Sequence, residues 1–356
     1  MARRYVDDVI SASIVLYYKF IRYEQMNLLV NKEFAGLHPK CINIYIDIYS
    51  MVVTLFRYSN VVDVLNITSC LVNMAIHYRN YFKKFGVYSN IFLLYSPTMG
   101  ITNTKYYPMY NEEYRNRMLN NPNVFESVNQ NIGLLRIVCQ YLPDIYFKYG
   151  TVETAVMGYD IMKKLQKNGD ESPSIFITTS QYAFQIPAVF PQCVLFIPKK
   201  SRLMEEKSYS VDICDCLDNY IKETKNRADF GDTKRKGEWI TGYMVLSGIP
   251  KRNITTLFGF GEALRILNGI ESSYNIITPE SVYDYINTKV KTVQTITRED
   301  IVNRFKCIDI NYQLEEYRIL PESKETSYLT QLNNIDELYR LNDKYFKNNP
   351  MNLDKL

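Results

Sequence analysis

The chain has 356 residues, enough for one large domain or two ordinary ones, each with its own core. Apolar residues at 46% and charged residues at 22% exclude a disordered chain, a collagen-like one and a disulfide scaffold. A formal net charge of +4 leaves nucleic acid open as a partner without announcing it. Tyrosine is the outlier: 31 Tyr, with 17 Phe and 1 Trp, bring the aromatics to 14%. His38 and His77 are the sole histidines, which excludes His-rich zinc chemistry. The seven cysteines are scattered, and Cys214–Asp215–Cys216 is a C-x-C pair without a second pair. They read as free thiols in a reducing compartment. The start, MARRYVDDVISAS, does not read as a signal peptide, and no run reaches the ~18 apolar residues of a membrane span. A cytoplasmic protein is expected, or a virion-associated one if the source is a virus, with no membrane partner.

In chain order, residues 1–35 place apolar side chains at helical spacing and predict an amphipathic helix. INIYIDIYS (42–50) is β-branched and aromatic and predicts a buried strand, with a helical pattern from Ser50 to Tyr58. Residues 61–84 form a second amphipathic helix that ends in Lys83 and Lys84 before Gly86. IFLLYS (91–96) is the next strand. Residues 97–130 are polar, rich in Asn and Tyr, and without a clean period. A helix over 131–141 leads to a strand at 144–149. Residues 151–169 form a helix with Thr151 as its cap and Gly169 as its stop. Two more strands follow at 174–180 and 193–198. Strands alternating with helices predict a mainly parallel α/β sheet with sites at the carboxyl ends of the strands, where Asp47, Ser96 and Ser180 fall. Beyond 228, glycines and basic residues between short helical patterns predict a small helical subdomain. Residues 272–356 are polar, with further short helical patterns.

This order of segments resembles the flap-endonuclease and 5′–3′ exonuclease family, a branch of the PIN-like nucleases, over residues 41–270. IYIDIYSMVVTLFR (44–57) is similar to its first strand and following helix, with Asp47 at the first metal-binding aspartate. LLYSPTMG (93–100) and YYPMYNEEYRNR (106–117) resemble the second strand and the tyrosine–proline–x–tyrosine entry to the arch that threads single-stranded DNA. YGTVETAVMGYDIM (149–162) resembles the helix with the glutamate-led acidic motif. FITTSQYAFQI (176–186) resembles the next strand end, with Thr178 and Gln185 in place. LSGIPKRNITTLFGFGEALRIL (246–267) resembles the helical hairpin that holds duplex phosphates.

The resemblance implies a PIN-like core at 41–227 with an arch-like segment near 97–130. An N-terminal helical extension (1–40) precedes it. A helix-hairpin-helix-like subdomain (228–271) and a C-terminal extension (272–356) follow. It also implies a carboxylate cluster for divalent metals, because closely spaced cations need that charge to bind and to activate water. Carried over position by position, only Asp47 and Glu153 remain acidic. Ser96, Ala155, Val156, Ser180, Tyr182, Ile249 and Arg252 stand at the other carboxylate positions. Asp47 and Glu153 are thus the candidate catalytic and metal residues. No cofactor is expected, and Mg²⁺ only if this reduced set still binds it. Asp160 is on the same helical face as Glu153 but about 10 Å further along, and is read as a solvated acid. With the cation gone, Arg252 is expected beside Asp47 or Glu153, since a guanidinium bridges carboxylates through its fork of donors.

Gly259 and Gly261 are read as lying before a helix, where backbone N–H groups meet phosphate. Lys251, Arg252 and Arg265 flank them. The competing reading is a tight corner that needs glycine for its backbone. Tyr107 and Tyr110, with Arg115 and Arg117, are candidates to stack on unpaired bases and neutralise their phosphates. The first functional reading is an inactive flap-nuclease-like protein. It binds branched or single-stranded DNA, or protein partners, in a replication or packaging assembly, with a viral source suggested by the Tyr, Asn, Ile and Lys bias. A purely structural virus-particle protein is the second reading, and an active 5′ nuclease with a rebuilt site the third.

Overall fold

The computed structural model describes residues 40–49, 51, 64–83, 86–96, 132–150, 152–178, 180–190, 192–197, 209–211, 238–249, 254–291, 295–319, 332, 334–347 and 350–355. The N-terminal helix, the arch-like segment, and the cysteines at 214 and 216 lie outside these residues. Six strands form one sheet: β1 (Cys41–Asp47), β2 (Tyr88–Tyr95), β3 (Ile145–Tyr149), β4 (Ser174–Ile177), β5 (Cys193–Ile197) and β6 (Tyr209–Val211). Their order is β3-β2-β1-β4-β5-β6, parallel except for β6. The chain thus builds outward from β1 to β3, then returns to the other side of β1. That reversal between β1 and β4 opens a crevice at the carboxyl edge, where such sheets hold their sites.

Alternation along β1 sends Ile42, Ile44 and Ile46 to one face and Asn43, Tyr45 and Asp47 to the other. On Tyr45's face a row of rings crosses four strands. Tyr45 stacks on Phe92 at 5.0 Å and on Phe176 at 5.8 Å, and Phe92 stacks on Tyr146 at 5.3 Å. Much of the aromatic excess is therefore structural; Tyr78, Tyr159, Tyr182 and Tyr243 are also fully buried. Helix α2 (Thr154–Lys167) covers this near face and approaches closely because position 158 is glycine, where a Cβ would overlap the Phe176 ring. The far face packs on α1 (Val64–Lys83) and on helical residues 132–139. The end of α1 matches its sequence signal, with Gly86 at φ +72° and its N–H donating to the Lys83 carbonyl at 3.0 Å.

Residues beyond 238 add α3 (Glu238–Ser247), α4 (Phe260–Tyr274), α5 (Pro279–Lys289), α6 (Arg298–Ile308), α7 (Ile310–Ile319) and α8 (Ile335–Tyr345). Reciprocal capping boxes start α5 (Thr278 with Ser281) and α6 (Thr297 with Asp300). The segment after 272 does not behave as an appendage. Its α7 lies on α2, where Tyr159 donates to Asn311 Oδ1 at 2.6 Å. Further on, α8 and residues 350–355 cross to the far face and bury Leu338, Phe346, Met351 and Leu353 in its core. No helix among the described residues is long and apolar enough to cross a membrane.

Candidate functional site at the carboxyl edge of the sheet

Asp47 ends β1, 3% exposed, and its Oδ2 accepts from Thr178 Oγ1 at 2.8 Å. Thr178 Oγ1 in turn accepts from the Ser180 amide at 2.9 Å, so the turn after β4 is tied to the Asp47 carboxylate. Ser96 follows β2, directly beside Asp47's strand. Both Ser96 and Ser180 are buried, and neither hydroxyl has a hydrogen-bond partner among the described residues. An unsatisfied buried hydroxyl costs about 1–3 kcal/mol. Such groups concentrate where function rather than stability set the residue.

Glu153, 3% exposed, is the N-cap residue of α2, and its carbonyl accepts from the Val156 and Met157 amides at 2.9 and 3.1 Å. This corrects the expected cap at Thr151. It also gives the Glu153 carboxylate the positive end of a 14-residue helix, which stabilises negative charge without a metal. The structure brings Asp47 and Glu153 to the same edge and the same face. Ala155, Val156, Tyr182 and Ile249 are fully buried parts of the core. Among the described residues no cluster of three His, Cys, Asp or Glu could hold a metal. Serine hydroxyls keep their protons at neutral pH and offset none of a dication's charge. The donors that the described residues bring to this edge therefore do not fit a pair of divalent ions. Arg252, expected to stand in for them, lies outside the described residues, as do Lys251, Tyr107, Tyr110, Arg115 and Arg117.

A different cation does enter this face. The register Asp47–Leu94–Lys148 puts Lys148 in the same row as Asp47, two strands away and beneath α2. Lys148 is 2% exposed, and Asp160 of α2 is 1% exposed. Asp160 is thus a buried acid, not the solvated one its helical position suggested. Lys164 Nζ contacts Asp160 Oδ2 at 2.6 Å from the half-exposed side. Burial and the nearby Lys164 push Lys148 down to about 8, against the pull of Asp160. A charged residue inside the apolar run DIYFKY was the sequence signal for this pair, and it passed unused.

Gln185, a motif match in the sequence, joins three parts of the molecule. Its Nε2 donates to the Ile308 carbonyl at 2.9 Å; its Oε1 accepts from Thr241 Oγ1 at 2.9 Å and the Ile310 amide at 3.3 Å. Replacing it by leucine is expected to cost about 2–4 kcal/mol, because these partners stay buried and unsatisfied. Urea unfolding of Gln185→Leu checks this; an unchanged midpoint would show the contacts to be idle.

Gly259 precedes α4 and Gly261, expected before the helix, lies in its first turn; both differ from the glycine at the preceding corner. Gly248 has φ +70°, and a Cβ there would collide with the Thr255 backbone, so glycine is required. Gly259 is the N-cap of α4 at φ −63° and ψ 165°, ordinary for any residue. A Cβ on Gly259 or Gly261 would meet nothing within 4 Å. The tight-corner explanation therefore fails at both. Arg265 is engaged along its own helix, with Nη2 and Nε 2.6 and 3.0 Å from the Glu262 carboxylate. The pairing raises the Arg265 pKa and lowers that of Glu262.

Neither a family model nor a curated protein sequence matches the chain. Solved structures do, and two of them reach a TM-score above 0.5. One is bacteriophage T5 flap endonuclease, an aspartate-to-lysine pseudo-enzyme in a product complex with DNA and metal ions. It shows a TM-score of 0.52 at 13% identity over 84% of this chain and 98% of that one. The other is T5 5′-exonuclease with zinc bound, with a TM-score of 0.51 at 12% identity over 77% and 92%. The chain has a flap-nuclease-like fold.

Proposed function

We propose that this protein binds DNA on a flap-nuclease-like body whose metal-dependent cleavage has been lost. The observation that carries the reading is the carboxyl edge. Two buried serine hydroxyls, without a hydrogen-bond partner among the described residues, flank Asp47 where a hydrolytic site of this fold needs carboxylates. Binding is supported by Gly259 and Gly261, which no contact among the described residues requires and which leave the α4 backbone open to a phosphate. In this reading the helices α3 and α4 act as a helix-hairpin-helix. Lys251 and Arg252 add charge at its turn, and Tyr107, Tyr110, Arg115 and Arg117 contact an unpaired strand. A T5 flap endonuclease of this fold forms a pseudo-enzyme–product complex with DNA and metal ions, which supports the reading.

Gel shifts with flap, hairpin and single-stranded DNA, with Mg²⁺ or Mn²⁺ present, test it. Binding without cleavage is expected, weakening steeply with salt as condensed counterions are released. Asp47→Ala should leave the affinity unchanged. Metal-dependent cleavage that Asp47→Ala abolishes would overturn the loss of activity. Failure to bind any of the three would leave the fold as a scaffold for protein partners.

A further inference from the structure

The corner between α3 and α4 is held by a residue from outside both helices. Arg304 of α6 is 3% exposed, and its Nη1 donates to the carbonyls of Val245 and Thr255 at 3.2 and 2.7 Å. Its Nη2 donates to Thr255 Oγ1 at 2.8 Å. Val245 lies in the last turn of α3, where carbonyls have no partner within the helix and the dipole is negative, a setting that compensates a buried cation. Thr255 is on the far side of the corner, four residues before Gly259. Between them Ile249 and Ile254 exchange backbone hydrogen bonds of 2.9 and 3.2 Å. The Leu257 and Phe258 amides both donate to the Leu246 carbonyl at 3.0 Å. One planar fork thus spans the end of one helix and the approach to the next.

We propose that Arg304 is the positioning residue of this corner, fixing the N-terminus of α4 relative to the end of α3 so that both meet one duplex backbone. The assignment rests on the DNA-binding reading above. A lysine retains the charge but not the fork, and cannot hold Val245 and Thr255 in one plane. Arg304→Met would leave the same carbonyls buried and unpaired, so Arg304→Lys is the informative variant.

The test compares wild type and Arg304→Lys by fluorescence anisotropy on a blunt duplex and on a single strand of the same sequence. Amide hydrogen exchange is followed in parallel at Ile254, Leu257 and Phe258, with β1 amides as the reference. Faster exchange is expected at the corner only. Duplex affinity should fall about tenfold, the equivalent of one charge-assisted hydrogen bond, with single-strand affinity unchanged. A general loss of stability would lower both affinities and speed exchange in β1 as well. If Arg304→Lys does not fold, Thr255→Val, which removes only the Oγ1 acceptor, serves in its place. Unchanged duplex affinity, or unchanged exchange at the corner, overturns the assignment alone. A wild-type protein that binds no duplex overturns the DNA-binding reading and the assignment together.

Discussion

A chain ended after residue 331 is expected to lose most of its folding free energy. The removed part supplies Leu338, Phe346, Met351 and Leu353 to the far-face core. Burying side chains of this kind stabilises by about 1.5–3 kcal/mol each, against about 5–15 kcal/mol for a whole domain. Polar contacts go as well: the Asn352 amide to Asn73 Oδ1 at 2.7 Å, and the Leu332 amide to the Gln140 carbonyl at 2.7 Å. Urea unfolding followed by circular dichroism should show the truncated chain unfolded, or with a midpoint far below that of the full chain. Phe346→Ala alone should cost about 3–5 kcal/mol. A truncated chain with an unchanged midpoint would mean that this segment is carried by the core rather than part of it.

Asp160→Ala is expected to cost about 3–5 kcal/mol, because it strips the counter-charge from a buried lysine. The double change Lys148→Met with Asp160→Leu should recover most of that loss, since apolar packing commonly replaces buried charges without penalty. Lys148 also sets a dependence on pH. Its folded pKa of about 8 lies below the ordinary 10.5. Between those values the unfolded chain keeps a proton that the folded one has shed, so stability rises with pH across this window. The rise is on the order of 3 kcal/mol. Below pH 8 both states are protonated, and the full cost of the buried charge is present. Denaturation of wild type and Lys148→Met from pH 7 to 10.5 reads this directly. A difference between them that does not move across the window would place Lys148 outside the low-dielectric interior.

The strand pattern was legible because strands buried on both faces are written as runs of Ile, Tyr, Phe and Leu, and β1 to β5 all carry that mark. Asp47 stood out as an acid at the end of such a run, and its place at the sheet edge follows from strand position alone. The fate of Asp160 did not, because helical periodicity gives a face but not what covers it. The helix lies on the sheet, and the charge of Lys148 on β3 acts on Asp160 only through the sheet order. Glu153 was found from its motif, yet its capping position depends on where α2 starts, a boundary that propensity places poorly. The roles of Gln185 and Arg304 were hidden for another reason. Their partners are mostly backbone atoms of distant segments, and carbonyls and amides leave no trace in residue identity. Residues after 272 looked like a tail because their apolar positions are sparse; they pack by a few side chains on each of two faces.

The contact between α1 and residues 350–352 has a consequence for how the protein is made. Ser69 and Asn73 bond to Pro350 and Asn352 across 277 to 281 positions of sequence. At about 5–20 residues per second, the ribosome needs roughly 15–60 s to deliver the second partner after the first. Throughout that interval the apolar side of α1 has been synthesised while the side chains that complete its core have not. The nascent chain therefore spends tens of seconds with an unfinished hydrophobic surface, the period in which holdase chaperones act and aggregation competes.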